Sequence, residues 1–487
     1  MRGGIVHNGF MELDPDICYH AVTSRDSRFD GRFFVGVTST GIYCRPICRV
    51  KIPMQKNCRF YCSAAAAEVA GFRPCLRCRP ELAPGNASVD ANARLAQAAV
   101  HLMENEALNG AGIAQLASRL GVTDRHLRRV FESEFGVPPI AFLQTQRLLL
   151  AKHLLADTRL PVTEVALASG FHSVRRFNAL LKERYRCTPR RLRVATAQFD
   201  RPDALLFKLA YRPPYDWAAM VRFLADRAIE GVEVVEGNHY RRSVRLLHSG
   251  KQHQGWIDIT PALRGSAFKV NISTSLAKVI PVILSKVRQF MDLSCNPAEI
   301  AEVLGPLATK NQGLRIPGTL DGFELGVRAV LGQQITVRAA RTLIGRFAGK
   351  FGDRVQTPFT TVNTLFPVPE QVLAHPVRSI VELGIVTARA EAIYAFAKAL
   401  ADGSIDLRPG AEVEATLAKL KALPGFGEWT AQYIAMRALA WPDAFVHPDN
   451  AVLKALGKSS PKQARSLSEN WRPWRAYAVM HLWHSLR

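Results

Sequence analysis

The chain has 487 residues and a formal net charge of +23, with 64 lysines and arginines against 41 acids. That length exceeds what one hydrophobic core supports and predicts three or four domains. A surface this basic repels itself unless it meets a polyanion, so nucleic acid is the leading partner and an acidic membrane surface the second.

No apolar run approaches the length of a membrane span, so no membrane association is expected. Met1 to Asp14 lacks the apolar core of a signal peptide, which predicts a cytoplasmic protein. Six of the nine cysteines lie between Cys44 and Cys78. In a cytoplasmic chain that clustering points to metal rather than to disulfides.

The first predicted domain spans residues 10–82. It is short on long helical periodicity and rich in aromatic and turn residues. Its core text is Thr40-Gly-Ile-Tyr-Cys44-Arg-Pro-Ile-Cys48, followed by Gly71-Phe-Arg-Pro-Cys75-Leu-Arg-Cys78. Two close cysteine pairs suit a tetrahedral thiolate site, and a module with so little core gains most of its stability from such a metal. Cys58 and Cys62 form a third close pair, so spacing alone leaves another four-cysteine set open.

This text resembles the N-terminal domain of the bacterial adaptive-response methyltransferase and activator, across essentially all of residues 12–82. The resemblance selects Cys44, Cys48, Cys75 and Cys78 as ligands of one zinc ion. It also implies that Cys44 irreversibly accepts a methyl group from a methyl phosphotriester in DNA. A zinc-bound cysteine is held as a thiolate and is nucleophilic. Methylating one sulfur of a four-thiolate site removes one negative charge, which should raise affinity for the phosphate backbone. Tyr43, Arg45 and Arg73 lie close in sequence and are candidate backbone contacts.

Pro84-Gly-Asn-Ala-Ser reads as a linker within Glu81 to Asn92. A second domain, residues 88–195, is helical by periodicity and contains two segments of helix-turn-helix character. In the first, Gly121 ends one helix, Thr123 or Asp124 caps the next, and Arg125, His126, Arg128 and Arg129 follow. In the second, Gly170 and Ser173 play the same parts ahead of Arg175, Arg176 and Asn178. A long helix from about Ala141 to Ala156 joins them. The pair resembles the DNA-binding domain of the arabinose-regulator family of activators. That implies promoter DNA as a partner, contact with RNA polymerase, and two recognition helices about one DNA turn apart in the major groove.

Thr196 to Asp203 reads as a second linker. Residues 204–293 form a predicted α+β domain, with strands at 232–235, 243–247 and 255–259 and an amphipathic helix at 218–229. From Pro213-Pro-Tyr-Asp-Trp217 onward the chain resembles bacterial 3-methyladenine DNA glycosylase II, nearly without interruption from Leu205 to the C-terminus. The last predicted domain, 296–487, is mainly helical. The fold class expected for the whole is multidomain and mainly α with α+β parts: a small zinc-bound domain, a double helix-turn-helix, a small α+β domain and a helical helix-hairpin-helix domain.

In that last domain, Gln333 and Gln334 lie near a turn expected to face DNA, where they are candidates to wedge or hydrogen-bond the duplex. Gly425 and Gly427 separate an apolar run ending at Leu423 from a helix opening near Thr430. Glycines followed by a helix N-terminus can grip a phosphate through main-chain amides. This segment resembles the helix-hairpin-helix of base-excision glycosylases. The resemblance implies a fold with a catalytic carboxylate shortly downstream, here Asp449, and an aromatic pocket formed by Phe223, Trp429, Tyr433 and Trp483.

One acid suffices chemically. Breaking a purine N-glycosidic bond passes through a cationic sugar, which a carboxylate stabilises while orienting water. Cationic alkylated purines leave without protonation and stack on aromatic rings with cation–π character. The position of the attacking lysine in strand-cutting relatives holds Trp429, so no lyase activity is expected. No cysteine follows Cys295, which excludes an iron–sulfur cluster in this part. Asp443 is the rival acid, and it precedes the position of Phe445 in the pattern. After Asp449 the chain reads Asn450-Ala-Val-Leu-Lys454, one residue longer before the lysine than the enzymes it resembles and without their aromatic. That departure bears on the range of bases removed.

The expected protein is therefore a monomeric alkylation-damage protein acting on alkylated double-stranded DNA. The alternatives are a transcription factor whose glycosylase part serves only as a DNA clamp, and a purely architectural DNA binder.

Overall fold

The computed structural model describes residues 13–84, 95–96, 98–100, 102–103, 113–158, 160–193, 203–248, 250–408, 411–457 and 460–486. The two expected linkers fall largely outside these residues. The chain divides into two compact units, residues 1–103 with 107–196 and residues 197–487 with 104–106.

The first unit opens on α1 (Pro15–Ser24), whose Asp14 cap accepts from the amides of Asp16 and Ile17. A four-stranded sheet follows, β1 (Phe34–Val37), β2 (Ile42–Cys44), β3 (Cys58–Tyr61) and β4 (Arg73–Pro74), in the order β3-β1-β2-β4. The β1–β2 hairpin sets Val35 opposite Cys44, and β4 runs parallel to β2. Between β3 and β4 lies α2 (Ala64–Val69), capped by Ser63. The small module thus holds more regular structure than its aromatic, turn-rich text suggests. Cys18, Phe33 and Val35 pack with the cysteines in one cluster.

Helices α3 (Ile113–Arg119) and α4 (Asp124–Phe135) form the first helix-turn-helix, α5 (Pro139–Asp157) the connecting helix, and α6 (Val162–Ala168) with α7 (Val174–Tyr185) the second. The expected turn chemistry is in place. Thr123 accepts from the amide of His126, and Ser173 from that of Arg176. Gly121 and Gly170 stand at the turns with φ of 68° and 80°. Leu127, Phe131, Phe177 and Leu181 are fully buried, so each second helix turns its arginines outward by simple amphipathicity.

The second unit begins with an antiparallel five-stranded sheet, β5 (Ala204–Ala210), β6 (Glu233–Glu236), β7 (His239–His248), β8 (Lys251–Pro261) and β9 (Ala267–Ser273), in the order β5-β9-β8-β7-β6. Helix α8 (Trp217–Arg227) lies between β5 and β6 in sequence. The helices that frame the site are α9 (Gly322–Leu331), α10 (Val337–Phe351), α11 (Thr387–Ala401), α12 (Val413–Lys421), α13 (Glu428–Arg437), α14 (Asn450–Ala455) and α15 (Arg475–Ser485).

Buried ion pairs join sheet to helices. Arg242 on β7 meets Glu324 on α9 at 2.7 Å, and Arg328 bridges Glu324 at 2.7 Å and also Glu233 on β6. Removing one partner of such a pair strands a buried charge at a cost of about 3–5 kcal/mol. Among the described residues no helix is long and apolar enough to cross a membrane.

Candidate active site and metal centre

The hairpin between α12 and α13 is built around Gly425. Its φ is 74°, and a Cβ there would meet the Ala392 methyl at 2.9 Å, so backbone and packing both call for glycine. Gly427 is the N-cap of α13, exposed and with open space above it. The amides of Glu428, Trp429 and Thr430 follow it at the start of α13, a helix end that favours an anion.

Asp449 caps α14, with Oδ1 accepting from the Val452 amide at 2.9 Å. The same oxygen accepts from Trp483 Nε1 at 3.1 Å, and Oδ2 from Trp429 Nε1 at 2.8 Å. Three N–H donors from α13, α14 and α15 thus fix one half-exposed carboxylate. It lines a cavity of about 360 Å³ together with Phe223, Trp429, Tyr433 and Trp483. All five residues expected there from sequence come together. Trp429 and Tyr433 stack, with centroids 5.0 Å apart and planes 10° from parallel. Asp443, the rival, is buried in ion pairs with Arg475 at 2.6 Å and with Arg472. It is not among the residues lining the cavity.

The opposite wall departs from expectation. The Arg227 guanidinium lies 3.9 Å from the Phe223 ring centroid. That of Arg437 lies 5.1 Å from Phe223 and 5.2 Å from Tyr433. Arg437 is anchored by the Pro317 carbonyl at 2.6 Å, the Gly318 carbonyl at 3.1 Å and the Tyr433 hydroxyl. Burial alone would raise the Tyr433 hydroxyl; the neighbouring guanidiniums of Arg437, Arg227 and Arg328 outweigh it and bring it below the ordinary range. The cation–π faces of Phe223 and Tyr433 are thus partly taken by resident arginines. Arg227 follows Phe223 by one turn of α8, and Arg437 follows Tyr433 by one turn of α13, whereas the Arg437–Phe223 contact joins helices distant in sequence.

Gln333 is half-buried and engages the hairpin. Its side-chain amide donates to the Gly425 carbonyl and to Thr430 Oγ1, both at 2.9 Å, and its own carbonyl accepts from Arg389 on α11. In this position it braces the hairpin. The neighbouring Gln334 is exposed, with φ of 54°, at the turn between α9 and α10.

In the first unit the Sγ atoms of Cys44, Cys48, Cys75 and Cys78 all lie within 4.8 Å of one another. Amides of Arg45 and Arg77 point at Cys78 Sγ and Cys75 Sγ, each at 3.4 Å. Four converging sulfurs with N–H support fit one zinc ion. Cys58 and Cys62 stand outside this group: Cys58 Sγ donates to the Met54 carbonyl at 3.5 Å, and Cys62 lies beside Gly136. Two of the expected backbone contacts are not available. Tyr43 is fully buried, and Arg45, 5% exposed, is paired with Asp30. Among the recognition-helix arginines, Arg129, Arg175 and Arg176 are exposed, while Arg128 is held at 2.9 Å by Asp124 one turn back.

Four family models match the chain in succession. They are described as the metal binding domain of Ada (residues 17–81), a helix-turn-helix domain (116–195), the AlkA N-terminal domain (206–321) and the HhH-GPD superfamily base excision DNA repair protein (327–473). The chain is 36% identical over 491 aligned residues to the probable bifunctional transcriptional activator/DNA repair enzyme AlkA of Mycobacterium tuberculosis, covering 98% of this chain and 97% of that one. It is 34% identical over 280 residues to DNA-3-methyladenine glycosylase 2 of Escherichia coli, covering 58% and 97%. It is also 36% identical over 159 residues to the bifunctional transcriptional activator/DNA repair enzyme Ada of Escherichia coli, covering 33% and 43%.

Proposed function

The chain belongs to the AlkA family of bifunctional transcriptional activator and DNA repair proteins, and on that premise we propose that it is a monofunctional glycosylase releasing alkylated purines from double-stranded DNA. The observation that carries this reading is Asp449, held by two indoles at the edge of an aromatic cavity beside an amide-presenting hairpin.

The amides of the Gly425–Gly427 turn and of the first turn of α13 hold a backbone phosphate without reading sequence. A flipped base enters the cavity against Trp429 and Tyr433. Asp449 then stands beside the sugar, stabilises the oxocarbenium charge as the C1′–N bond breaks, and orients the water that adds to C1′. Trp429 cannot form a Schiff base, so the strand stays intact.

In the first unit, Cys44, Cys48, Cys75 and Cys78 hold one zinc ion, which keeps its ligands deprotonated. The Cys44 thiolate attacks the methyl carbon of a DNA methyl phosphotriester: an S–C bond forms, the C–O bond breaks, and the phosphodiester leaves. Cys44 is 5% exposed and Cys78 more open, so the choice of Cys44 rests on the motif rather than on access. Arg129, Arg175 and Arg176 are the base- or phosphate-facing candidates for promoter binding.

The decisive experiment is release of free 3-methyladenine from methylated duplex by the protein and by its Asp449→Asn variant. Release that vanishes in the variant supports the glycosylase and its acid. No release from either leaves a regulator with a DNA clamp, and equal release from both means another carboxylate acts.

A further inference from the structure

Glu68 on α2 is a carboxylate buried to 5% exposure in the first unit. Three hydroxyls donate to it: Tyr43 at 3.0 Å and Tyr185 at 3.1 Å on Oε1, and Thr145 at 2.9 Å on Oε2. Each donor comes from a different functional element. Tyr43 precedes Cys44 on β2, and its carbonyl accepts from the amide of Cys75, so it is tied to two of the four metal-site cysteines. Thr145 belongs to α5, which joins the two helix-turn-helix units. Tyr185 is the last residue of α7, the helix that opens with Arg175 and Arg176.

A second buried tie runs in parallel. Lys152 of α5 donates to Glu81 at 2.6 Å and to the Cys75 carbonyl at 3.4 Å. Two modules that only packed apolar surfaces together could slide. A buried carboxylate with three directional partners cannot, because any slip strands a polar group away from water.

We infer that Glu68 is a positioning residue that locks the second recognition helix in register with the methyl-accepting strand, so that methylation at Cys44 is read by one continuous DNA-binding surface including α7. This rests on the sensor reading above. The charge change at the metal centre raises phosphate affinity locally. The Glu68 hub is what lets that gain appear as binding across the second helix-turn-helix as well, about 25 residues of sequence from Tyr43 to Glu68 and 117 from Glu68 to Tyr185.

The test uses the full chain and a duplex selected from random-sequence DNA by the methylated protein. Four variants are compared: Tyr185→Phe, Tyr43→Phe, Glu68→Leu and Glu68→Gln. Tyr185→Phe removes one hydroxyl and leaves the ring packed. It should keep the zinc content and methyl transfer, lose footprint protection at the end contacted by α7, and bind the selected duplex about three- to tenfold more weakly when methylated. Glu68→Leu should do the same more strongly. Glu68→Gln keeps an oxygen for both tyrosines and should restore the footprint. A full footprint and an unchanged methylated-to-unmethylated affinity ratio in both Tyr185→Phe and Glu68→Leu would overturn the inference. Failure of the unaltered protein to accept methyl at all would instead sink the sensor reading, and footprints of the same variants on a duplex selected by the unmethylated protein would still decide whether Glu68 positions α7.

Discussion

The Trp429 indole N–H points at Asp449 Oδ2 from 2.8 Å, although the two residues are 20 positions apart and on different helices. Trp429 therefore places the acid as well as stacking on Tyr433. Trp429→Phe keeps the stacked ring and removes the donor. Single-turnover release of 3-methyladenine should slow by about tenfold, with duplex affinity nearly unchanged. Asp449→Asn should cost about a hundredfold or more. An unchanged rate in Trp429→Phe would reduce the indole to a stacking surface.

Gln333 ties the α9–α10 turn to the hairpin through the Gly425 carbonyl and Thr430. Gln333→Ala should weaken binding to duplex DNA, damaged or not, by about tenfold. Base release at saturating protein should change less. Gln333→Glu is not expected to rescue binding, since a carboxylate cannot donate to a carbonyl. Rescue by glutamate would show that the hydrogen bonds donated by Gln333 do not support the hairpin.

Zinc removal should act on one unit. A chelator is expected to unfold the four-cysteine module, because binding energy at such sites is folding energy of about 10 kcal/mol or more. Calorimetry should show the first unit's transition lost or lowered and the second's unmoved, with 3-methyladenine release retained. Loss of glycosylase activity on chelation would contradict this.

Asp292 supplies a pH signature. Burial raises its carboxyl to about 6, against the lowering effects of Arg315, the Ile316 amide and the Tyr477 hydroxyl. A raised folded value means that the folded state holds the proton more tightly. The associated stability is present below about 4 and is lost as pH rises through about 6, amounting to about 3 kcal/mol. Asp292 also sits at φ of 50°, which asparagine tolerates. Asp292→Asn should therefore raise the melting temperature of the second unit by several degrees at pH 7.5, with little change at pH 4.5. Equal shifts at both pH values would exclude ionisation as the cause.

Local chemistry made much of this fold legible. The expected helix 141–156 appears as Pro139–Asp157, and the strands at 232–235, 243–247 and 255–259 fall on or within one residue of β6, β7 and β8. Cysteine spacing and the glycine hairpin are contiguous signals, so they survive without a structure. Strand β9 carries a plain signal too: Phe268, Val270 and Ile272 alternate and are buried. The approach of Arg437 to Phe223 and the tie from Gln333 to the hairpin are not readable from sequence, whereas Arg227 follows Phe223 by one helical turn. Arg437 lies more than two hundred residues from Phe223, and Gln333 finds its partners 92 and 97 residues away. Side-chain direction at such places is set by which loops approach, and sequence periodicity is silent on that.

Trp429 is the second residue of α13, whose first turn we propose as the phosphate grip, and its indole holds the acid. Grip on the strand and aim of the carboxylate thus share one short lever. A free nucleoside carries the same glycosidic bond but no backbone to load that lever. Discrimination against the cell's soluble nucleoside pool follows from the hairpin, before the shape of the cavity is consulted.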